Sequence, residues 1–238
     1  MQSNRLTAII PALALCALTA CVQTPDNTVY GQERVDECVA TACATLNVDG
    51  LGLRDFGQVN AMSHVTSLMV SYTDFDSLSD IADMAQLREL HLSNSQVTDL
   101  SGLAAFPNLA LVHMQGVSAE ALATARFPAG VRELALGGPG ATDLSVVHRV
   151  PGLQRLHVDT FTTSVSLAAL EGHGRLSTVH LGDIRGLDLS PLLALPALRV
   201  VSLEFEPGGP DPVQTSVIAQ LRARGVTVST EEIVVPVC

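Results

Sequence analysis

An α/β solenoid is the fold class this sequence predicts, and three observations predict it. Leu90-His91-Leu92 alternates as a strand does, with Leu87 leading into it and His91 turned to the opposite face. Val97, Leu100, Leu103 and Phe106 then step by three, which suits a tight helical turn whose residues i and i+3 eclipse. The whole unit returns. Leu87, Leu109, Val131 and Leu153 stand twenty-two residues apart, and Cys43 and Val65 extend that register backwards. Leu176 follows one residue late, and Leu198 resumes the step. A single unit cannot cover its own apolar face, so the core must come from stacking neighbours.

Composition agrees. The chain has 238 residues, 47% hydrophobic and 16% charged, which suits one domain of ordinary size. There is no Trp and aromatic residues make up only 3%, as stacked Leu and Val rungs allow. All 13 basic residues are arginine. With no lysine, Schiff-base chemistry and a P-loop are excluded.

The first element, residues 1–20, reads as a processing signal. Arg5 supplies the positive start and Leu6 to Leu18 an apolar run too short to span a bilayer. Leu18-Thr19-Ala20-Cys21 resembles the lipobox of bacterial lipoproteins, which implies cleavage before Cys21 and acyl chains on it. Val22 stands where that family places Asp for inner-membrane retention, so the resemblance implies the outer membrane of the cell envelope. Loss of Arg5 leaves twelve arginines against 24 acidic residues, a formal charge of −12. No basic stripe exists to neutralise phosphates, which argues against nucleic acid and against lying flat on anionic lipid. The expected membrane attachment is through the lipid anchor only.

Residues 21–32 are polar, with Pro25 and Gly31, and read as a lipidated tether. Residues 33–45 (ERVDECVATACAT) read as a small helical N-terminal cap, which an end rung needs to cover its core. Export makes a Cys38–Cys43 disulfide an expectation. Cys43 also occupies a core position of the first repeat, so a buried free thiol is the alternative. Cys238 belongs to the far end, about 34 Å away at roughly 4.8 Å per rung, and is expected to be unpaired.

The repeats cover residues 43–206. Their paired strand positions run from Leu46/Val48 through Leu90/Leu92 to Val201/Leu203. The second apolar series recurs as Phe56/Val59/Met62, Leu78/Ile81/Met84, Leu144/Val147/Val150 and Leu189/Leu192/Leu195. Asp55, Asp99, Asp143 and Asp188 precede that series and read as caps on its free N–H groups rather than as a carboxylate array. Pro107, Pro128, Pro151 and Pro196 close the turns.

This pattern resembles bacterial leucine-rich repeat proteins with twenty-two-residue units, of the internalin or SDS22-like kind. The resemblance implies a parallel β-sheet on a concave face and short 3-10 or helical turns on the convex face. Many relatives carry Asn at the ninth position of the repeat. Here Thr73, Ser95, Val117, Pro139 and Phe161 stand there, and only the first two resemble the bacterial hydroxyl variant. Gly137 to Gly140 falls at the same corner and reads as a turn, not a phosphate cradle. Residues 131–174 should be the least regular, with His173 in the slot that Phe106 fills earlier.

Residues 207–238 form the C-terminal cap, a helix plus a short strand. Pro207 to Pro210 breaks the repeat, and Asp211-Pro212 reads as the N-cap and first residue of a true helix. Val213, Val217, Ile218 and Leu221 are expected on its apolar face, with Gly225 just past its end. Val226 and Val228 supply the strand, and residues 233–238 are expected to fold back over the end.

The outward column between the paired apolar residues reads Asn47, Met69, His91, His113, Ala135, His157, His180 and Ser202. It holds four of the seven histidines. Three readings stand open. His157, His180 and Asp159 supply ligand types that Zn²⁺ uses. Stacked imidazoles would make a pH-responsive surface. A polar rung in a partner-binding sheet is the third, and repeat duplication alone would produce such a column. Arg155 beside His157 counts against a cation.

Arg88, Arg132, Gln154 and Arg199 form one flanking column, and Glu89, Glu133 and Arg155 the next. With Gln115, Asp159 and the four histidines, they make the contact surface that the resemblance implies for a protein or peptide partner. No nucleophile elbow, H-E-x-x-H or Gly-rich cradle is present, so neither an enzyme nor a cofactor is expected. The sequence points to a non-catalytic, lipid-anchored envelope protein. A metal- or pH-responsive module and a structural spacer are the alternatives.

Overall fold

A computed structural model describes residues 27–138, 140–142, 144–159 and 165–233. The processing signal, Cys21, Pro139, Asp143, Phe161 and Cys238 lie outside the described residues. Among the described residues nine strands follow one another in a single parallel sheet, in chain order. They are β1 (Thr45–Asn47), β2 (Ser67–Met69), β3 (Glu89–His91), β4 (Leu111–His113), β5 (Glu133–Gly137), β6 (Arg155–Asp159), β7 (Thr178–Asp183), β8 (Val200–Phe205) and β9 (Thr227–Glu232). Leu46, Leu68, Leu90, Val112, Leu134, Leu156, Val179, Val201 and Val228 are partners in one continuous register. The chain is an α/β solenoid of the leucine-rich repeat type.

The core runs the length of the stack, because every rung delivers the same apolar positions inward. Leu68, Leu90, Val112, Leu134 and Val179 have no solvent exposure. Opposite them the three-residue series forms 3-10 turns at Phe56–Val59, Leu78–Ile81, Ser101–Ala105, Ser145–Arg149, Ala168–Leu170 and Ser190–Ala194. One repeat instead carries an α-helix, α2 (Ala119–Thr124), where Ser118 Oγ accepts from the Ala121 N–H at 3.2 Å. Its sequence, AEALAT, is rich in strong helix formers and lacks the three-residue apolar step.

Polar groups at the turns are satisfied locally or from the next rung. Asp55, Asp99 and Asp188 each accept from the N–H two residues on, at 2.8, 2.8 and 2.9 Å. Gln86 donates to Met62 O and Val65 O, and Asn108 to Ala85 O, so each closes the carbonyls left open one rung earlier. Arg149 does the same at the end of α2, reaching Leu122 O, Ala123 O and Ala125 O.

The N-terminal helix α1 spans Asn27–Thr41, so it begins six residues before the expected cap and takes in the end of the expected tether. Gly31 is the reason. It reads as a breaker in isolation, but here it is buried in the helix and lets α1 lie against the backbone at Gly52. At the other end α3 (Pro212–Ala223) has Asp211 as N-cap in a full capping box with Gln214. Val217, Ile218 and Leu221 are buried, but Val213 is 70% exposed. Gln214 takes the inward position instead, donating to Ile184 O at 2.6 Å and Leu187 O at 3.0 Å. Two open carbonyls of the preceding rung outweigh a valine there.

Strand register is continuous from β1 to β7. It shifts between Leu181 and Asp183, downstream of the stretch expected to be irregular. Gly182 is the extra residue on β7 and sets Asp183 opposite outward Glu204, where it is nonetheless only 7% exposed. A second column is also periodic. Gly50, Tyr72, Asn94, Gly116 and Gly138 all adopt positive φ at the corner after each strand. The first four donate their N–H to the next rung, at Ser71 O, Ser93 O, Gln115 O and Gly137 O.

Candidate functional site: the concave histidine face

The outward column is continuous across the sheet. Asn47, Met69, His91, His113, Ala135, His157, His180 and Ser202 pair in that order. Parallel pairing at one fixed offset brings side chains of one repeat position side by side. His91 and His113 meet edge to face with ring centroids 4.3 Å apart, and His157 and His180 stack at 4.1 Å with planes 11° apart. Ala135, itself buried, separates the two pairs.

Burial sets the electrostatics. It lowers the pKa of His91 below the ordinary 6.5, against the opposing pull of Asp49, Glu89 and Glu133. His113 is lowered by burial and then by the charge of His91. His157 is pushed down to about 4, first by burial, then by His180 and His113, with Asp159 acting against. His180 Nε2 lies 3.2 Å from Glu204 Oε1.

The flanking residues divide. Glu133 and Arg155 form an ion pair across adjacent strands, and Glu89 is separated from Glu133 by Leu111 in the same register. Arg132 does not reach over the face. Its Nη1 donates to Ala129 O at 2.6 Å and Val131 O at 2.8 Å, closing its own rung. Gln115 is tied to its neighbour, its N–H donating to Ser93 Oγ at 3.1 Å while its Oε1 accepts from that hydroxyl at 3.3 Å. Arg88 and Gln154 remain at the exposed margin.

The alternative zinc set of His157, His180 and Asp159 does not converge. Among the described residues no group of three or more His, Cys, Asp or Glu side chains could hold a metal ion. The parallel His157 and His180 rings stack face to face, so their nitrogens share no common point, and His180 Nε2 is engaged by Glu204.

An acidic cluster at the C-terminal end of the face went unread in the sequence. Arg185 bridges Asp183 and Glu206, both at 2.6 Å. The alternation Leu203-Glu204-Phe205-Glu206 was the available signal, since it prolongs the strand by a further outward pair. The bulge at Gly182 carried no such signal.

Cys38 and Cys43 are joined, with Cα atoms 4.8 Å apart, and tie the end of α1 to the first rung. A cavity of about 540 Å³ lies there, between α1 and β1. None of the expected contact residues lines it. No described helix is long and apolar enough to cross a membrane.

No protein-family model matches the chain, and no curated protein matches it. Solved structures do. An internalin (inlF) from Listeria monocytogenes superposes with a TM-score of 0.49 and 15% identity, over 80% of this chain and 62% of that one. This chain thus spans less than two thirds of that internalin. Internalin C2 from the same organism gives 0.48 and 23% identity, over 67% of this chain and 80% of that one. The leucine-rich repeat domain of APL1B gives 0.41 and 10%, over 88% and 73%. These likenesses concern the fold alone. The nine-stranded parallel sheet and its 3-10 turns are those of a leucine-rich repeat solenoid.

Proposed function

We propose that this protein is a non-catalytic binding module that presents its concave face to a protein or peptide, held in the bacterial envelope by lipid on Cys21. One observation carries the binding reading. The outward positions of consecutive strands form one continuous polar face, His91 to His180, flanked by the Glu133–Arg155 pair and by exposed Arg88 and Glu89. Its histidines engage one another and Glu204, an arrangement suited to contact rather than to proton transfer from a nucleophile.

The test is retention of a partner from envelope extract by the immobilised protein. A companion variant carries Arg88→Ala, Glu89→Ala, Glu133→Ala and Arg155→Ala, and leaves Arg132 to close its rung. Loss of the partner in the variant supports the concave face; unchanged retention removes it. The anchor is tested separately by labelling with radioactive palmitate, which Cys21→Ala should abolish.

A further inference from the structure

His91 and His113 touch, as do His157 and His180, at 4.3 and 4.1 Å between ring centroids. At that separation one proton per pair is tolerated, and a second sets two positive charges in contact within a half-buried surface. We propose that the histidine column makes the concave face acid-responsive: each imidazole pair holds at most one proton at neutral pH, and acidification forces in a second that drives the rings apart and releases what the face holds. This rests on the concave face being the binding surface.

Two features make the pairs more than a by-product of duplication. The first is their surroundings. Asp49 at the end of the first rung, Glu89 on β3 and Glu133 on β5 face the His91–His113 pair. Glu133 is held by Arg155, which leaves Asp49 and Glu89 to stabilise the first proton there. Asp159 on β6 and Glu204 on β8 face the other pair.

The second feature is an asymmetry. Glu204 lies 3.2 Å from His180 Nε2, on the far side of the pair from His157. His157 is the ring that resists a proton, held down to about 4 by burial and then by the His180 and His113 rings beside it. Ala135 is too small to bridge the pairs, so each can open by itself.

NMR titration of the imidazoles decides the coupling, using the full chain in mild detergent from pH 7.5 to 3. The expected result is a His157 midpoint well below 6.5, which moves up by roughly 0.5 to 1 unit in His180→Asn as a positive neighbour is removed. Midpoints all near 6.5, or a His157 midpoint indifferent to His180→Asn, would overturn the proposal.

Release is read with the partner retained at pH 7.5. Its affinity should fall about twofold or more at pH 4 for the native protein, and clearly less for His113→Asn with His180→Asn, which keeps every carboxylate. Equal loss in both, or no loss in either, overturns the release step. Failure to retain any partner at pH 7.5 would instead sink the binding reading, and the titration would still decide whether the pairs are coupled.

Discussion

A Cβ placed on Gly31 would stand 2.1 Å from the carbonyl oxygen of Gly52, so α1 rests directly on the backbone of the first repeat. Gly31→Ala must therefore lift the helix away from Leu53 and the rung beneath it. The expected cost is about 1–3 kcal/mol, from lost cap packing. Urea unfolding of the variant against the native chain measures it. An unchanged midpoint would mean that α1 does not cover the end of the core.

The corner column makes a paired prediction. A Cβ on Gly116 would lie 2.1 Å from Asn94 Oδ1, and Gly116 has φ +76°. Gly116→Ala should destabilise by about 1–2 kcal/mol. In an Asn94→Gly background the side-chain clash disappears and the backbone strain remains, so part of that loss should return. Tyr72 adopts φ +58° without being glycine. Relief of its strain, less the unfolded-state entropy of glycine, should leave Tyr72→Gly neutral or about 0.5 kcal/mol more stable. Thermal melts of the four variants would show whether the column behaves as one structural position.

Gln214 tests the polar closure of the C-terminal rung. Its amide is buried and donates to Ile184 O and Leu187 O. Gln214→Leu has similar volume and greater hydrophobicity, yet it should destabilise by about 1–3 kcal/mol because two carbonyls lose their donor. Hydrogen exchange at Ile184 and Leu187 should quicken in parallel. A variant more stable than the native chain would show that water replaces the amide at no cost.

Acid should act through the aspartate caps as well. Hydrogen bonds from Ser101 and Ser190 hold the pKa of Asp99 and Asp188 below the ordinary 3.8. The folded state then binds protons less readily than the unfolded one. The stabilisation is full above pH 3.8 and is lost as pH falls through the lowered folded values. The histidines act higher, since His91, His113 and His157 are lowered from 6.5, and their contribution is lost as pH falls from 6.5 through those lowered values, about 4 for His157. Asp99→Asn with Asp188→Asn should flatten the stability curve only below pH 4. A change confined to pH 5–7 would contradict the assignment.

Much of the candidate site is legible in the sequence. The partners of His91 and His157 follow from a count of twenty-two or twenty-three residues, because a parallel stack turns sequence period into spatial adjacency. The role of Arg132 was not legible. Its position marks it as outward, but a long side chain can fold onto the nearest open carbonyls, and Ala129 O and Val131 O are nearer than any partner across the face. Asp183 was hidden for another reason. A one-residue bulge changes which face every later residue of the strand meets, and Gly182 resembles any other glycine in the sequence.

By itself the sequence determined the solenoid, its strand positions, its inward and outward columns and the Asp55, Asp99 and Asp188 caps. These depend on spacing along the chain and on hydrogen bonds within a few residues. Tertiary structure alone decided how α1 lies on Gly52, why Gln214 displaces Val213 from the core, and how the histidine rings meet. Each of those turns on groups about twenty or more residues apart, whose separation period sets but whose open carbonyls, ring angles and backbone clearance it does not.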